Sequence, residues 1–204
     1  MRALVLVDLQ NDFLPGGALA VREGDRVIPI ANRLQHEVDL VVATQDWHPR
    51  DHASFASQHA GKRPGELITL EGLPQVLWPD HCVQLTHGAA FASTLDTKRI
   101  TKIFPKGMDR RVDSYSGFFD NGRRHDTGLA DYLRLKGVRE LLVCGLATDY
   151  CVKWTALDAA ELGFDTFVVV DACRGVELNE GDVDDALDEL EDAGGELVDS
   201  DELL

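Results

Sequence analysis

The stretch VCGLATDYCVKWTALDAAELG, residues 143–163, decides the fold. It begins at the end of an apolar run, ELLVC, which is typical of a buried strand. Gly145 interrupts this run, and the helical spacing of the apolar residues that follow predicts a helix, with Thr148 or Asp149 as its cap. A buried strand that turns directly into a helix is a repeating unit of α/β proteins.

Cys151 falls in the first turn of this predicted helix. A helix N-terminus favours an anion, so we expect the thiol to ionise more readily than a free cysteine, whose pKa is about 8.5. The free amides of the turn could also stabilise an oxyanion on a carbonyl group under attack. The competing interpretation is that Cys151 is a small core residue, as most free cysteines are.

Strand-like and helix-like segments alternate along the chain. Apolar runs predict strands at 3–8, 39–44, 99–104, 139–144, 166–171 and 196–198, and helical spacing predicts helices at 25–37, at 127–136 and in the acidic stretch after Gly181. This alternation predicts an α/β fold, a three-layer doubly wound sandwich with a mainly parallel six-stranded sheet. We expect one domain over 1–204, in which the proline-rich region 45–98 is a long functional loop.

The composition excludes several classes of partner. The formal net charge of −16 argues against nucleic acid and anionic membranes, since both need a basic surface. No apolar run approaches the roughly 18 residues that would suggest a membrane span, and the N-terminus is interpreted as a first strand and not as a signal peptide. The four cysteines have no paired spacing, which predicts reduced thiols in the cytoplasm. The acidic C-terminal region is interpreted as a solvated helix face, with adaptation to salt as an alternative.

Residues with chemical capacity follow the predicted strands directly. Asp8 follows the first strand, Asp46 and His48 the second, Lys106 the third and Cys151 the fourth. Because ligands of such sheets bind outside the carboxyl ends of the strands, we expect these side chains to meet at one edge. There Cys151 is the candidate nucleophile, Asp8 its base and Lys106 a cation that holds the carboxylate. Taken one at a time, each could instead be an ordinary capping, surface or core residue.

A second group of residues predicts a metal site. Asp46 and His48 form an Asp-x-His pair as the chain leaves the second strand, so their side chains can lie on the same face. His81 can join them from the WPDHC segment, and His52 is a further candidate. This donor set suits a divalent ion of borderline softness such as zinc, iron or manganese. Cys82 is interpreted as a packing residue, and the histidines could instead be ordinary loop residues.

Short motifs throughout the chain point to one family. They are VDLQNDF (7–13), GGALAV (16–21), QDWHP (45–49), HASFAS (52–57), WPDHCVQ (78–84), KG (106–107), DSYSGFFDNGRR (113–124), GLATDYCVK (145–153) and DACRGV (171–176). Together they resemble the nicotinamidases, or pyrazinamidases, of the isochorismatase-like cysteine hydrolases. The resemblance runs from residue 1 to about residue 176 and weakens in the acidic tail.

The resemblance implies a nicotinamide amidohydrolase of NAD salvage. Such an enzyme converts nicotinamide to nicotinate and ammonia through a thioester on Cys151, and it also hydrolyses pyrazinamide. Asp8, Lys106 and Cys151 would be the catalytic residues. The chain would also bind one divalent metal ion. Zinc is the first choice, and iron and manganese are the alternatives. The resemblance names the residues that would bind it. These are Asp46, His48 and His81, with Ser54 through a water molecule and His52 as an additional candidate.

The resemblance also implies the shape of the pocket. The Leu146–Ala147 peptide bond would be cis, and the amides of Ala147 and Cys151 would form the oxyanion hole. The expected walls of the pocket are Phe13, Leu19, Trp78, Tyr115, Leu146 and Ala147. The expected partner is a small molecule, and a homo-oligomer is compatible with the sequence. Two alternatives stay open: a hydrolase of carbamoyl or ureido amides on the same fold, whose members generally lack the metal motif, and a non-catalytic protein that binds a metal or ligand.

Overall fold

Eight strands make two sheets in the computed structural model, which describes residues 1–204. The strands are β1 (Arg2–Val7), β2 (Leu40–Asp46), β3 (Leu67–Leu70), β4 (Leu73–Val76), β5 (Ile100–Lys106), β6 (Glu140–Leu146), β7 (Asp165–Arg174) and β8 (Glu196–Val198). Six of them form the main sheet in the order β5-β2-β1-β6-β7-β8, and every neighbouring pair is parallel. The predicted six-stranded sheet is therefore confirmed.

The order of the strands reverses at the centre of the main sheet. The chain moves outward from β1 to β2 and β5, then returns to β6 beside β1 and continues outward through β7 and β8. The switch point between β1 and β6 is where open α/β sheets form a crevice at the carboxyl ends of their strands. Asp8 follows β1, and Cys151 comes five residues after the end of β6, so both lie at this point.

Four helices connect the strands: α1 (Val27–Leu34), α2 (Leu129–Leu135), α3 (Lys153–Glu161) and α4 (Asp182–Asp192). Right-handed crossovers place α1 on one face of the sheet and the other three helices on the opposite face, because the chain moves in opposite directions from the switch point. Between them lies a single cluster of 42 buried apolar residues. No helix has the length and apolar character needed to cross a membrane.

The region 45–98, which is expected to be a long functional loop, also contains two strands that the apolar pattern does not predict. Strands β3 and β4 form a separate antiparallel hairpin within it. Its two-residue turn is Glu71–Gly72, and both residues have positive φ, 51° and 85°. Positive φ at both central positions matches the twist of a tight hairpin, and glycine adopts it without strain. The hairpin is difficult to predict from the sequence because prolines are scattered through the region and one of them, Pro74, lies within β4. Proline is otherwise a signal against a strand, except at the edge of a sheet.

The segment that carries Cys151 differs from the prediction. Residues Thr148–Val152 form a π-helical turn, and α3 begins only at Lys153. Neither expected cap acts as one. Instead the Asp149 carboxylate accepts hydrogen bonds from the backbone amides of Val176 and Glu177, at 2.9 and 2.7 Å. Asp149 therefore fastens the nucleophile turn to the segment that follows β7.

Gly145 allows β6 to approach β1 at the switch point. It pairs in register with Val7 and has a φ of 132°, which favours glycine. A Cβ atom at this position would lie 2.1 Å from the carbonyl oxygen of Val7. The glycine that interrupts the apolar run thus brings the ends of β1 and β6 together.

Candidate active site

The Lys106 ammonium group is the centre of a buried ionic cluster at the switch point. Its Nζ lies 2.9 Å from Asp8 Oδ2 and 2.5 Å from Asp46 Oδ1, and it donates to the Ser114 carbonyl at 2.8 Å. It also lies 3.3 Å from Cys151 Sγ. The structure therefore brings the three expected catalytic side chains into one group. The ionisable atoms of Asp8, Asp46 and Cys151 all lie within 4.8 Å of one another.

The Asp8 carboxylate is held by both of its oxygens. Thr44 donates its hydroxyl to Oδ1 at 2.6 Å and accepts the Asp8 backbone amide at 3.2 Å. This arrangement leaves Oδ2 for Lys106. The residue itself sits in the left-handed region, with φ at 48°, immediately after β1. Thr44, at a buried position of β2, is a contact that the sequence prediction did not include.

Burial and ion pairing shift the pKa values of this cluster in opposite directions. Burial raises the pKa of the Asp8 carboxyl, and Lys106 only partly opposes the rise. Burial would lower the pKa of the Lys106 ammonium, but Asp46 and Asp8 hold it well above its usual value. Lys106 therefore stays charged, while Asp8 is the carboxyl in contact with it that can most readily accept a proton.

The expectation that Cys151 ionises readily is wrong for the free protein. Burial raises the pKa of its thiol well above the ordinary value, although the neighbouring Lys106 acts to lower it. The carboxylates of Asp8 and Asp46 add to the rise. Only the fold reveals how deeply the turn is buried, so the position of a cysteine near a helix start is not sufficient to predict the pKa. Such a thiol needs a base within reach in order to act as a nucleophile.

Asp46, His48 and His81 form the second cluster. Asp46 Oδ2 lies 3.3 Å from His48 Nε2 and 3.5 Å from His81 Nε2. Each histidine uses Nδ1 for a backbone carbonyl, that of Gly107 for His48 and that of Pro79 for His81, both at 2.8 Å. Nδ1 therefore carries the proton and leaves each Nε2 free as a ligand atom.

This donor set fits a divalent metal ion. His48 Nε2 is buried without a hydrogen-bond partner, as is expected of an atom that ligates an ion. The ligand atoms of the cluster lie within 4.8 Å of one another. Gly107 makes room for the His48 ring, because a Cβ there would lie 2.3 Å from Cε1. Phe55, fully buried, packs its ring 5.5 Å from that of His48 and 5.6 Å from that of His81.

His52 has the opposite tautomer. Its Nδ1 accepts the Ser54 backbone amide at 3.2 Å and lies 2.7 Å from the Ser54 hydroxyl. The proton is therefore on Nε2 in this arrangement, and the place of His52 as an additional ligand stays a prediction. That Nε2 is buried without a hydrogen-bond partner. One ring nitrogen of His52 lies within 4.8 Å of ligand atoms of both His48 and Asp113. Ser54 contacts His52, and its place as a ligand through water stays a prediction.

A narrow pocket of about 20 Å³ opens against Cys151. Seven of the predicted site residues line it: four of the expected walls (Phe13, Trp78, Tyr115 and Ala147), the two metal-site residues Asp46 and His81, and Cys151. Leu19 and Leu146 do not reach this lining. Leu146 is fully buried, and its peptide bond to Ala147 is cis. A much larger depression of the surface, about 430 Å³, is lined by Trp154, Arg123 and Glu161 among others and contains none of the clustered residues. Size alone therefore does not locate the site.

Three further residues line the pocket without having been predicted: Asp113, Tyr150 and Val176. Tyr150 precedes Cys151 in the sequence, and its ring meets that of Trp78 edge-to-face at 4.8 Å. Tyr150 could have been found from its neighbour in the GLATDYC motif. Asp113 lies in the DSYSGFF motif, but its contact with the histidines depends on the fold of the loop after β5. Burial tends to raise the pKa of Asp113, and His48 and His52 hold it below its usual value.

Known proteins share both the sequence and the fold. The model of the isochorismatase domain matches residues 2–202. The nicotinamidase of Escherichia coli (strain K12) is 54% identical over 200 residues, which are 96% of this chain and 93% of that protein. The structure of an Acinetobacter baumanii nicotinamidase and pyrazinamidase superposes with a TM-score of 0.97 at 46% identity and covers 100% of this chain and 98% of that one.

A zinc-containing relative has the same architecture. The pyrazinamidase of Pyrococcus horikoshii in complex with zinc superposes with a TM-score of 0.78 at 38% identity, over 97% of this chain and 98% of that one. The domain match and these two levels of identity span nearly the whole chain, and the buried Asp–Lys–Cys group lies at the switch point of the sheet. The chain belongs to the isochorismatase family.

Proposed function

We propose that this chain is a nicotinamidase, which hydrolyses nicotinamide to nicotinate and ammonia and also accepts pyrazinamide. The observation that carries the proposal is the contact of Lys106 with Asp8, Asp46 and Cys151 directly beside a metal-type Asp–His–His cluster. The 54% identity to the Escherichia coli nicotinamidase supports the same activity. The product nicotinate would be a precursor for the salvage of pyridine nucleotides.

The chain's own residues account for the acyl transfer. Asp8 accepts the proton of the Cys151 thiol, and the sulfur attacks the carboxamide carbon. The amides of Ala147 and Cys151 would stabilise the oxyanion. Loss of one such donor typically lowers the rate of an enzyme by about 10²–10³. Asp8 then returns the proton to the departing ammonia, which leaves a thioester on Cys151. Water attacks the thioester with Asp8 again as base, and nicotinate leaves.

Asp46, His48 and His81 would hold the metal ion, for which zinc is our first choice and iron and manganese are the alternatives. The bound ion would supply a fixed point of attachment for the ring nitrogen of the substrate, directly or through a water molecule. The aromatic side chains of Phe13, Trp78 and Tyr115 flank the pocket and can pack on a planar ring.

Ammonia release from nicotinamide tests the proposal. We expect activity in the metal-loaded protein, loss of activity after chelation, and recovery when one of the three metals is returned. Cys151→Ala should abolish ammonia release, whereas Cys82→Ala, at another buried cysteine outside the ionic cluster, should retain it. Activity that is indifferent to chelation would contradict the role of the metal. No activity with any of the metals would contradict the choice of substrate and favour the carbamoyl or ureido amides.

We also propose a cytoplasmic location. All four cysteines are free and buried. Cys144 and Cys173 lie on the neighbouring strands β6 and β7 and still form no disulfide. Unpaired thiols are typical of a reducing compartment. Cell fractionation should recover the protein with the cytoplasmic contents, and recovery in a secreted or membrane fraction would contradict this location.

A further inference from the structure

The β3–β4 hairpin contacts the pocket through a single buried side chain. Most of its residues are exposed or half-buried, and only Gln75 is fully buried, with 3% of its surface exposed. A buried amide on an otherwise solvated hairpin is unusual, because polar groups are expensive to bury unless they are hydrogen-bonded. The partners of Gln75 therefore indicate what it does.

The Gln75 carboxamide joins two residues of the pocket. Its Nε2 donates to Asp113 Oδ2 at 3.0 Å and to Tyr115 Oη at 3.1 Å, and it also lies 2.8 Å from the Val76 carbonyl. The Asp113 carboxylate and the Val76 carbonyl can only accept, which fixes the orientation of the amide with its nitrogen facing these partners. Gln75 thus links a carboxylate beside the histidine cluster to an aromatic wall of the pocket.

The Tyr115 hydroxyl is held from two sides. It accepts the Trp78 indole N–H at 3.2 Å in addition to the Gln75 amide. Its ring meets the Tyr150 ring edge-to-face at 5.3 Å and the Trp78 ring at 6.5 Å. These three aromatic side chains line the pocket against Cys151. The position of the Tyr115 wall therefore depends in part on the Gln75 amide, a donor that lies outside the pocket lining.

We propose that Gln75 is a positioning residue for substrate binding. By donating to the Tyr115 hydroxyl, it holds that ring at the distance at which it contacts the ring of the bound amide. The inference rests on the proposed function for the identity of the substrate. Gln75 contacts neither the thiol nor the ammonium of Lys106, so it affects the binding of substrate and not the chemical steps.

The test is a double-mutant cycle of nicotinamide binding. The dissociation constant is measured by calorimetry in the metal-loaded Cys151→Ala protein, which cannot turn the substrate over. Loss of one neutral hydrogen bond changes an equilibrium constant by about 3- to 10-fold, so Gln75→Met should weaken binding by that factor. Methionine keeps the length of the side chain and removes the donor. Tyr115→Phe should weaken binding similarly, and the double variant should bind within about twofold of the weaker single variant.

Kinetics separate positioning from a general structural role. In chains that retain Cys151, Gln75→Met should raise KM for nicotinamide by the same factor and leave kcat within about twofold. Thr69→Val, on the exposed side of β3, is the matched control and should leave both constants unchanged. If Gln75→Met does not fold, Tyr115→Phe still decides, because an unchanged dissociation constant in that variant overturns the proposal.

Other outcomes overturn the proposal directly. Gln75→Met with unchanged binding, or effects of Gln75→Met and Tyr115→Phe that multiply independently, would show that the amide does not act through the tyrosine. A fall in kcat at constant KM would do the same. A protein that binds nicotinamide in a Gln75-dependent way but releases no ammonia would overturn the proposed activity and keep this inference. A protein that neither binds nor hydrolyses nicotinamide would overturn both.

Discussion

Among single residues, Lys106 is the one whose charge the site depends on. It is fully buried and contacts Asp8, Asp46 and Cys151. A buried charge of this kind is tolerated because it is paired and hydrogen-bonded on all sides. Removal of the ammonium would leave two carboxylates facing each other without a counter-charge.

We therefore predict that Lys106→Met destabilises the protein as well as inactivating it. Breaking a buried ion pair by removing one partner costs about 3–5 kcal/mol in the free energy of unfolding, which urea denaturation of the metal-loaded protein measures. Lys62→Met is the control, because Lys62 pairs with Glu66 at an exposed position where such pairs contribute about 0–1 kcal/mol. Equal effects of the two substitutions would contradict the prediction.

The catalytic candidates could be predicted at the residue scale because they follow strands directly. To predict Asp8 and Lys106, it is enough to know where the apolar runs end and that ligands bind at the carboxyl ends of parallel strands. The pKa of Cys151 could not be predicted, since burial outweighs the favourable influence of Lys106. Gln75 could not be predicted either, because its partners at positions 113 and 115 are brought to it by the fold of the loop after β5.

Among the elements, the pair β1–β6 determines whether the site can form. The two strands run in register, and the chain continues from their ends into Asp8 and the nucleophile turn. Gly145 is the point of closest approach. Any side chain there must displace β1.

We predict that Gly145→Ala is strongly destabilising. The added methyl group would lie 2.1 Å from the Val7 carbonyl oxygen, and the φ of 132° is unfavourable for alanine. A loss of several kcal/mol, about 3 or more, is expected in the free energy of unfolding. Gly61→Ala is a matched control, because Gly61 also has positive φ but a Cβ there meets nothing within 4 Å. A similar loss in both variants would attribute the effect to φ alone and contradict the steric reason.

Helix α4 carries acidic residues at both ends. Replacing an aspartate by lysine is therefore predicted to change the free energy of unfolding differently at the two ends of the helix. Its first turn contains Asp184, and its last turn has no basic residue. Because the C-terminal end of a helix carries a partial negative charge, Asp192→Lys should stabilise the protein by about 0.3–1 kcal/mol relative to Asp184→Lys at the N-terminal end. Both side chains are exposed, and both substitutions change the net charge equally. Thermal unfolding at low salt measures the difference, and the reverse order would contradict it.

The main elements could be predicted from sequence because their apolar patterns are long and regular, as in ELLVC before the nucleophile turn. The β3–β4 hairpin was not predicted, since each of its strands has only four residues and little burial. The turn signal Glu71–Gly72 was present in the sequence but was outweighed by the prolines around it. The π-helical turn was also not predicted, because the apolar spacing after Gly145 does not distinguish it from an α-helical turn, and the contacts of Asp149 with Val176 and Glu177 depend on the fold.

For the whole molecule, net charge is the dominant electrostatic feature. The chain carries −16 at neutral pH, and α4 contributes much of it without a lysine or arginine of its own. Charges of one sign repel each other most in the compact state. Lys153 relieves this at one point by pairing with Glu189 at 3.0 Å.

We predict that the protein becomes more stable as salt is added. At about 0.15 M ionic strength the screening length is about 8 Å, so surface repulsion is weakened while the buried Lys106 cluster is hardly affected. The midpoint of thermal unfolding should rise between about 20 mM and 500 mM sodium chloride. The Asp192→Lys variant, with less negative charge, should show a smaller rise. A midpoint that falls with salt would show that attractive surface pairs outweigh the repulsion.

The exposed turn at Glu71–Gly72 lies between two groups of site residues in the sequence. Asp8 and Asp46 precede the turn, whereas His81, Lys106 and Cys151 follow it. A protease that nicks this turn would therefore yield two fragments, neither of which contains a complete set of reacting groups. Hydrolysis would then report the reassociation of the fragments, which makes this position a natural place to divide the protein into complementing halves.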